Sequence, residues 1–210
     1  MVTNSFIYRY KDIIIKKYWY CTELAISDDV FDILHTIDNK HLINLYELFT
    51  IISDEEYEQK YKSFLHKKFS KDGYTAKYYQ QDSINPILEK SYYLIKNIDE
   101  LKELIDILSN YHILMEDTKI ENSIIQKGQI VIIDPDYYKL SNLDIKTIKE
   151  NNYKELLKLL QSLFEHFLVD KKCEVIDYFD KLQDGNPIES VSHFEKSLKQ
   201  VKKPIEIINR

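Results

Sequence analysis

The chain has 210 residues, 44% apolar and 30% charged, a balance that fits one globular domain, or two small lobes sharing a cleft, and excludes a disordered chain. Its net charge is −6, and Lys67-Lys68 and Lys202-Lys203 are too short to form a basic stripe, so nucleic acid is not an expected partner. No apolar run reaches the roughly 18 residues of a membrane span, MVTNSFIYRY lacks a signal-peptide core, and Cys21 and Cys173 form no metal or disulfide framework, so the expected setting is cytoplasmic.

SFIYRY and DIIIKKYWY, within residues 5–20, read as strands joined by a tight turn at Lys11-Asp12, because β-branched and aromatic residues dominate both. A helix is predicted over 27–37: Ser27 is a fair N-cap, Asp28 and Asp29 favour the helix dipole, and Val30, Phe31, Leu34 and Ile37 repeat at helical spacing. Residues 41–52 form an apolar run readable as a strand pair or one bent strand. The charged stretch 55–71 reads as a solvated helical or loop insertion, and 72–79 as a strand. Beyond Asn85-Pro86, Leu101, Leu104, Ile105 and Leu108 mark an amphipathic helix. Two short β runs flank Lys127-Gly128. Residues 153–168 form a helix with a wide apolar face, and a last helix carries Val191, Phe194, Leu198 and Val201. The fold class is α+β, with a β-rich part over 1–80 carrying one helix and a mostly helical part over 81–210 carrying one hairpin.

The stretch 115–138 carries the chemistry. If 123–126 and 130–133 pair about a three-residue loop at 127–129, Gly128 supplies the left-handed position, and Asn122 and Asp134 face each other at the open end. Directly opposed residues lie about 5 Å apart at Cβ. An amide oxygen and a carboxylate could then reach one hard cation from both sides, which suits Mg²⁺. Asp117 and Lys119 lie just upstream at the same end.

Asp117-Thr118-Lys119-Ile120-Glu121-Asn122 resembles the D-x-K-x-E-N of the protein-kinase catalytic loop, and Asp134 stands where the metal-binding Asp of D-F-G would follow. Ile113-Leu114 resembles the apolar pair before H-R-D, and the order of elements is similar. The chain is thus identified as resembling a compact, divergent member of the protein-kinase-like superfamily. The resemblance implies a two-lobed fold and ATP- and Mg²⁺-dependent phosphoryl transfer to a hydroxyl, on a protein. It makes Asp117 the group that meets the acceptor hydroxyl, Lys119 the neutraliser of charge on the transferring phosphoryl group, and Asn122 and Asp134 the Mg²⁺ ligands. Asp136 becomes an extra ligand or water-binder.

Ile13-Ile14-Ile15-Lys16 resembles the V-A-I-K strand, whose lysine holds the nucleotide phosphates. Lys17 competes with Lys16 for the cleft, since strand alternation admits only one of them. The acidic partner of that lysine is expected on the next helix; Val30 occupies the aligned position, Asp29 is adjacent and Glu23 precedes the helix, and Asp29 is preferred. Ala76-Lys77-Tyr78-Tyr79 resembles the hinge strand, with Ala76 and Tyr78 offering backbone groups to adenine. The chain departs from the family in several places. No glycine precedes Gly73, Met115-Glu116 replace His-Arg, Pro135-Asp136 replace Phe-Gly, and no A-P-E follows. These departures keep a second function open: a catalytically inactive kinase-like module that binds a partner.

Overall fold

The computed structural model describes residues 5–18, 26–49, 73–82, 91–167 and 172–200. It is an α+β structure. Strands β1 (Ser5–Tyr10) and β2 (Ile13–Tyr18) form the expected hairpin, with Lys11 at φ 56° in its turn. Helix α1 (Asp28–Thr36) starts at the predicted cap: the Ser27 hydroxyl accepts the Val30 N–H, and Val30, Phe31 and Leu34 are buried. The apolar run after it yields a single strand, β3 (Leu45–Phe49), and β4 (Gly73–Lys77) follows. The sheet order is β1-β2-β4-β3, all antiparallel, so the two central strands are β2 and β4. The insertion predicted over 55–71 lies outside the described residues.

Helix α2 (Ser91–Asn110) begins ten residues before the leucine pattern that announced it. It leads into β5 (Ile113–Leu114). The hairpin β6 (Ser123–Gln126) and β7 (Gln129–Ile132) is present, but its register differs by one from the expected pairing. Ser123 pairs with Ile132 and Gln126 with Gln129, leaving a two-residue loop in which Lys127 (φ 52°) and Gly128 (φ 74°) are both left-handed. Two consecutive left-handed residues match the twist of the flanking strands, which is why the tighter loop is preferred over a three-residue one. Strand β8 (Lys139–Leu140) pairs with β5.

Three further helices follow among the described residues: α3 (Ile145–Phe167), α4 (Lys172–Gln183) and α5 (Pro187–Gln200). The sequence pattern had α3 starting eight residues later and did not reveal α4. Leu156, Leu157, Leu159, Leu160 and Leu163 are all buried, and α3 touches α2, α4 and α5, so it is the central helix its wide apolar face predicted. One connected core runs from α1, β3 and β4 through the hairpin to α5. At about 25 cal/mol per Å² of apolar surface, this burial is the main favourable contribution to the fold. No helix among the described residues is long and apolar enough to cross a membrane.

Polar anchors fix the hairpin to the rest of the molecule, among them Gln81 and Asp82, whose side chains accept Ile125 N–H and Lys127 N–H. Residues 41–43 run alongside β7, with Ile132 N–H donating to His41 O and Ile43 N–H to Ile132 O. On α2, buried Asn97 accepts from Ile130 N–H at 2.8 Å and donates to Gly128 O at 2.9 Å.

Candidate active site

The loop after β5 is held by a polar stripe on α3. Asn152 Oδ1 accepts Met115 N–H (2.8 Å), Glu155 Oε2 accepts Thr118 N–H (3.0 Å) and Ser162 Oγ accepts Ile120 N–H (2.9 Å). The spacing of these residues keeps them on one helix face. The sequence reading gave this helix a wide apolar face over 153–168 and assigned no role to Asn152, Glu155 or Ser162. A buried Asn and Glu within a leucine-rich helix were the signal that it serves backbone groups, because buried polar side chains need partners.

Within this loop Asp117 is left-handed at φ 54°, a conformation that Asp tolerates better than most residues. Asn122 clamps it: Nδ2 donates to Asp117 O at 2.8 Å and to Asp117 Oδ2 at 2.9 Å. Lys119 Nζ lies 2.9 Å from the other carboxylate oxygen, Oδ1. That hydrogen bond raises the Lys119 pKa, so the side chain stays cationic. Asp117, Lys119 and Asn122 thus form one cluster. Beside it an open groove of about 610 Å³ is lined by Glu116, Asp117, Lys119, Tyr137 and, from α3, Glu155 and Gln161.

Ile133 N–H donates to Asn122 O at 3.0 Å, so Asn122 lies opposite Ile133, not opposite Asp134 as the expected register required. Asp134 is the next residue, still at the open end of the hairpin. Asn122 Nδ2 is committed to Asp117, which turns its Oδ1 away from that carboxylate as an unspent oxygen donor. Among the described residues no three His, Cys, Asp or Glu side chains group as a metal site. The Asn122 amide oxygen and the Asp134 carboxylate are hard oxygen donors that fit Mg²⁺, which commonly takes one or two protein ligands and completes its shell with phosphate and water.

From the sheet, Lys16 reaches this end. Its Nζ lies 2.7 Å from Asp134 Oδ1 and 2.7 Å from Asp136 Oδ2. The Lys16 side chain is 6% exposed, so of the two candidate lysines it is Lys16 that turns inward. Burial lowers its pKa, but Asp136 and then Asp134 outweigh that, and the net shift is upward. Tyr18 O–H donates to Asp136 Oδ1 at 3.0 Å and accepts Ile26 N–H at 3.2 Å. Burial pushes the Asp136 carboxyl up to about 6 against the pull of Lys16, and pushes the Tyr18 phenol well above its ordinary range. The sequence reading missed Tyr18; its place two residues after Lys16, on the same strand face, was the available clue.

Two expectations are corrected here, and Glu23 lies outside the described residues. Asp29 is exposed in the first turn of α1 and is no partner of Lys16; the neighbouring inward position is buried Val30. The carboxylates that meet Lys16 come instead from the segment after β7. Asp136 has both oxygens engaged, by Lys16 and Tyr18, so in this structure it stands as a lysine partner. Ala76 and Tyr78 do not offer an open hinge. Ala76 is buried between Ile14 and Leu45 in the ladder, and Tyr78 N–H donates to Asp12 O at 2.7 Å under the Arg9 guanidinium, 3.6 Å from the Tyr78 ring centroid.

The chain matches no family model and no curated protein.

Proposed function

We propose that the chain is an atypical minimal kinase of two-lobed, protein-kinase-like fold that transfers the γ-phosphoryl group of ATP to a hydroxyl, on a protein. The observation that carries this reading is the ion pair between Lys16 and Asp134, side chains 118 positions apart, which brings the lysine of the V-A-I-K-like strand onto the carboxylate that follows the D-x-K-x-E-N-like loop. In this scheme the acceptor approaches through the groove beside Asp117. Its oxygen attacks the γ-phosphorus, the bond to the ADP oxygen breaks, and Asp117 receives the hydroxyl proton. Lys119 neutralises charge on the transferring group, and Lys16 holds the α and β phosphates. Asn122 Oδ1 and Asp134 would hold Mg²⁺, which offsets phosphate charge when bound. Cys173 is an exposed free thiol, which suits the reducing cytoplasm.

A second reading, an inactive module that binds a partner, is favoured by one feature: Lys16 is already saturated by two carboxylates at 2.7 Å, and no glycine loop lies N-terminal to it to cover a nucleotide. Thermal unfolding with and without ATP and Mg²⁺ separates the two. A ligand at 100 times its dissociation constant adds about 2.7 kcal/mol. An upward shift in Tm that requires both components supports the kinase; no shift at millimolar nucleotide supports the module.

A further inference from the structure

We propose that Asp136 is the standing counter-ion that positions Lys16, taking over the task of a helix carboxylate, while Asp134 is the exchangeable partner that turns to the metal. The inference rests on the kinase reading above and assigns a residue to the positioning of its lysine.

The two carboxylates are equally close to Lys16 but differently held. The Asp136 side chain is 8% exposed, and its second oxygen receives Tyr18 O–H, whose own oxygen is fixed by Ile26 N–H. The Asp134 side chain is 29% exposed and borders the Asn122 end of the hairpin. Withdrawing Asp134 toward a cation leaves Lys16 with one buried, hydrogen-bonded partner. Withdrawing Asp136 would strip a buried ammonium of its better-held partner and leave Tyr18 without its acceptor, at a large desolvation cost. Helix α1 supplies no substitute, because the side chains it buries are Val30, Phe31 and Leu34. Lys16 is therefore positioned by its own strand and by the segment after β7.

The test combines a labelling rate with kinetics on the full chain. Acylation of Lys16 by an amine-reactive ester, quantified by mass spectrometry, reads its ion pairing independently of activity. Asp136→Asn should raise the Lys16 labelling rate at least 5-fold, and Asp134→Asn should raise it less. Tyr18→Phe, which preserves packing, should move it in the same direction as Asp136→Asn and serves if that variant does not fold. In kinetics, Asp136→Asn should raise KM for Mg-ATP about 10-fold with a smaller change in kcat, and Asp136→Glu should recover part of it. A larger labelling increase in Asp134→Asn than in Asp136→Asn, or a KM increase in Asp29→Ala equal to that of Asp136→Asn, overturns the proposal. A wild-type chain that neither binds nor turns over Mg-ATP overturns the kinase reading itself, and is told apart because the labelling order is measured without nucleotide.

Discussion

At the scale of single residues, the site divides its carboxylates by environment. Asp117 is one-third exposed, faces the groove and is shared between Lys119 and Asn122. On the proposed reading it meets the incoming hydroxyl and not a phosphate already bound. Asp117→Ala should therefore lower kcat by about 10²–10⁴-fold, the usual worth of a positioned general base, and leave nucleotide affinity nearly unchanged. Equal losses in binding and turnover would make Asp117 a structural residue or a metal ligand. Asp134→Asn should do the opposite, abolishing the Mg²⁺-dependent part of nucleotide binding while the fold survives, because a half-open carboxylate is lost and its isosteric amide still packs; an unchanged titration would remove Asp134 from the metal site. The cluster of Asp117, Lys119 and Asn122 was legible in the sequence because residue type and local spacing define it; strand alternation limited the inward lysine to Lys16 or Lys17 without choosing between them. The partner of Lys16 was not legible. Helical alignment pointed to Val30, with Asp29 preferred as its acidic neighbour, but which carboxylate lies above a strand lysine is decided by long-range packing, and Asp136 lies 120 positions away.

Elements position these residues through backbone hydrogen bonds more than through side-chain packing. Asn152 on α3 serves Met115 N–H, Ile113 O and Ser109 Oγ at once. Asn152→Leu should leave these groups unsatisfied and cost about 3 kcal/mol, seen as a lower urea midpoint with an unchanged slope; a loss below about 0.5 kcal/mol would mean that water or relaxation replaces the amide. The hairpin offers a cleaner test of backbone strain. A Cβ built on Gly128 meets nothing within 4 Å, yet φ is +74°. Gly128→Ala should cost about 1–2 kcal/mol from conformation alone, and a neutral result would show that the loop relaxes to another turn. Strands β1, β2 and β4 and helix α1 were readable because caps, turns and periodicity agreed locally. The hairpin's existence was readable too, but its register was not. Both pairings keep isoleucine and valine opposite each other, so only the preference for a two-residue left-handed loop separates them. Helix α4 was missed because KCEVIDYFDKLQ buries only Val175, Phe179 and Leu182, a narrow stripe in a polar segment.

Across the whole molecule, charge is arranged as local pairs, with almost no arginine to build an anion pocket. Lys139 pairs with Glu116, and Lys149 with Asp106 at 2.5 Å, so two of the lysines nearest the segment 137–150 are committed. With only Arg9 and Arg210 in the chain, a phosphate there would lack bidentate partners. Replacing Tyr137, Tyr138, Ser141 and Thr147 together, by Phe or Ala, should accordingly leave activity intact; a collapse restored by acidic substitutions would reveal a phosphorylation switch. The pair network also joins the segment before β3 to the helical part. Glu100 on α2 meets Lys40 at 2.5 Å and buried His41 at 2.9 Å, and His41 reaches on to Ile130 O at 2.7 Å. Burial acts to raise the Glu100 pKa, but the hydrogen bonds from Lys40 and His41 prevail and hold it below its ordinary value of 4.5. A depressed carboxyl binds fewer protons in the folded than in the unfolded chain as acid is added. Its stabilisation is therefore complete above about pH 4.5 and lost as pH falls through the lower, folded value. Glu195, lowered by Lys102 and Lys199 against its own burial, acts in the same sense. Glu100→Gln should destabilise the chain at pH 6 by on the order of 1 kcal/mol, since the Lys40 side of the network is open to solvent. Its urea midpoint should converge on that of the wild type as pH falls from 4.5 through the lower folded value, below which both carry a neutral side chain at position 100. A gap that stays constant from pH 6 to pH 3 would mean that Glu100 acts through packing and not through its charge.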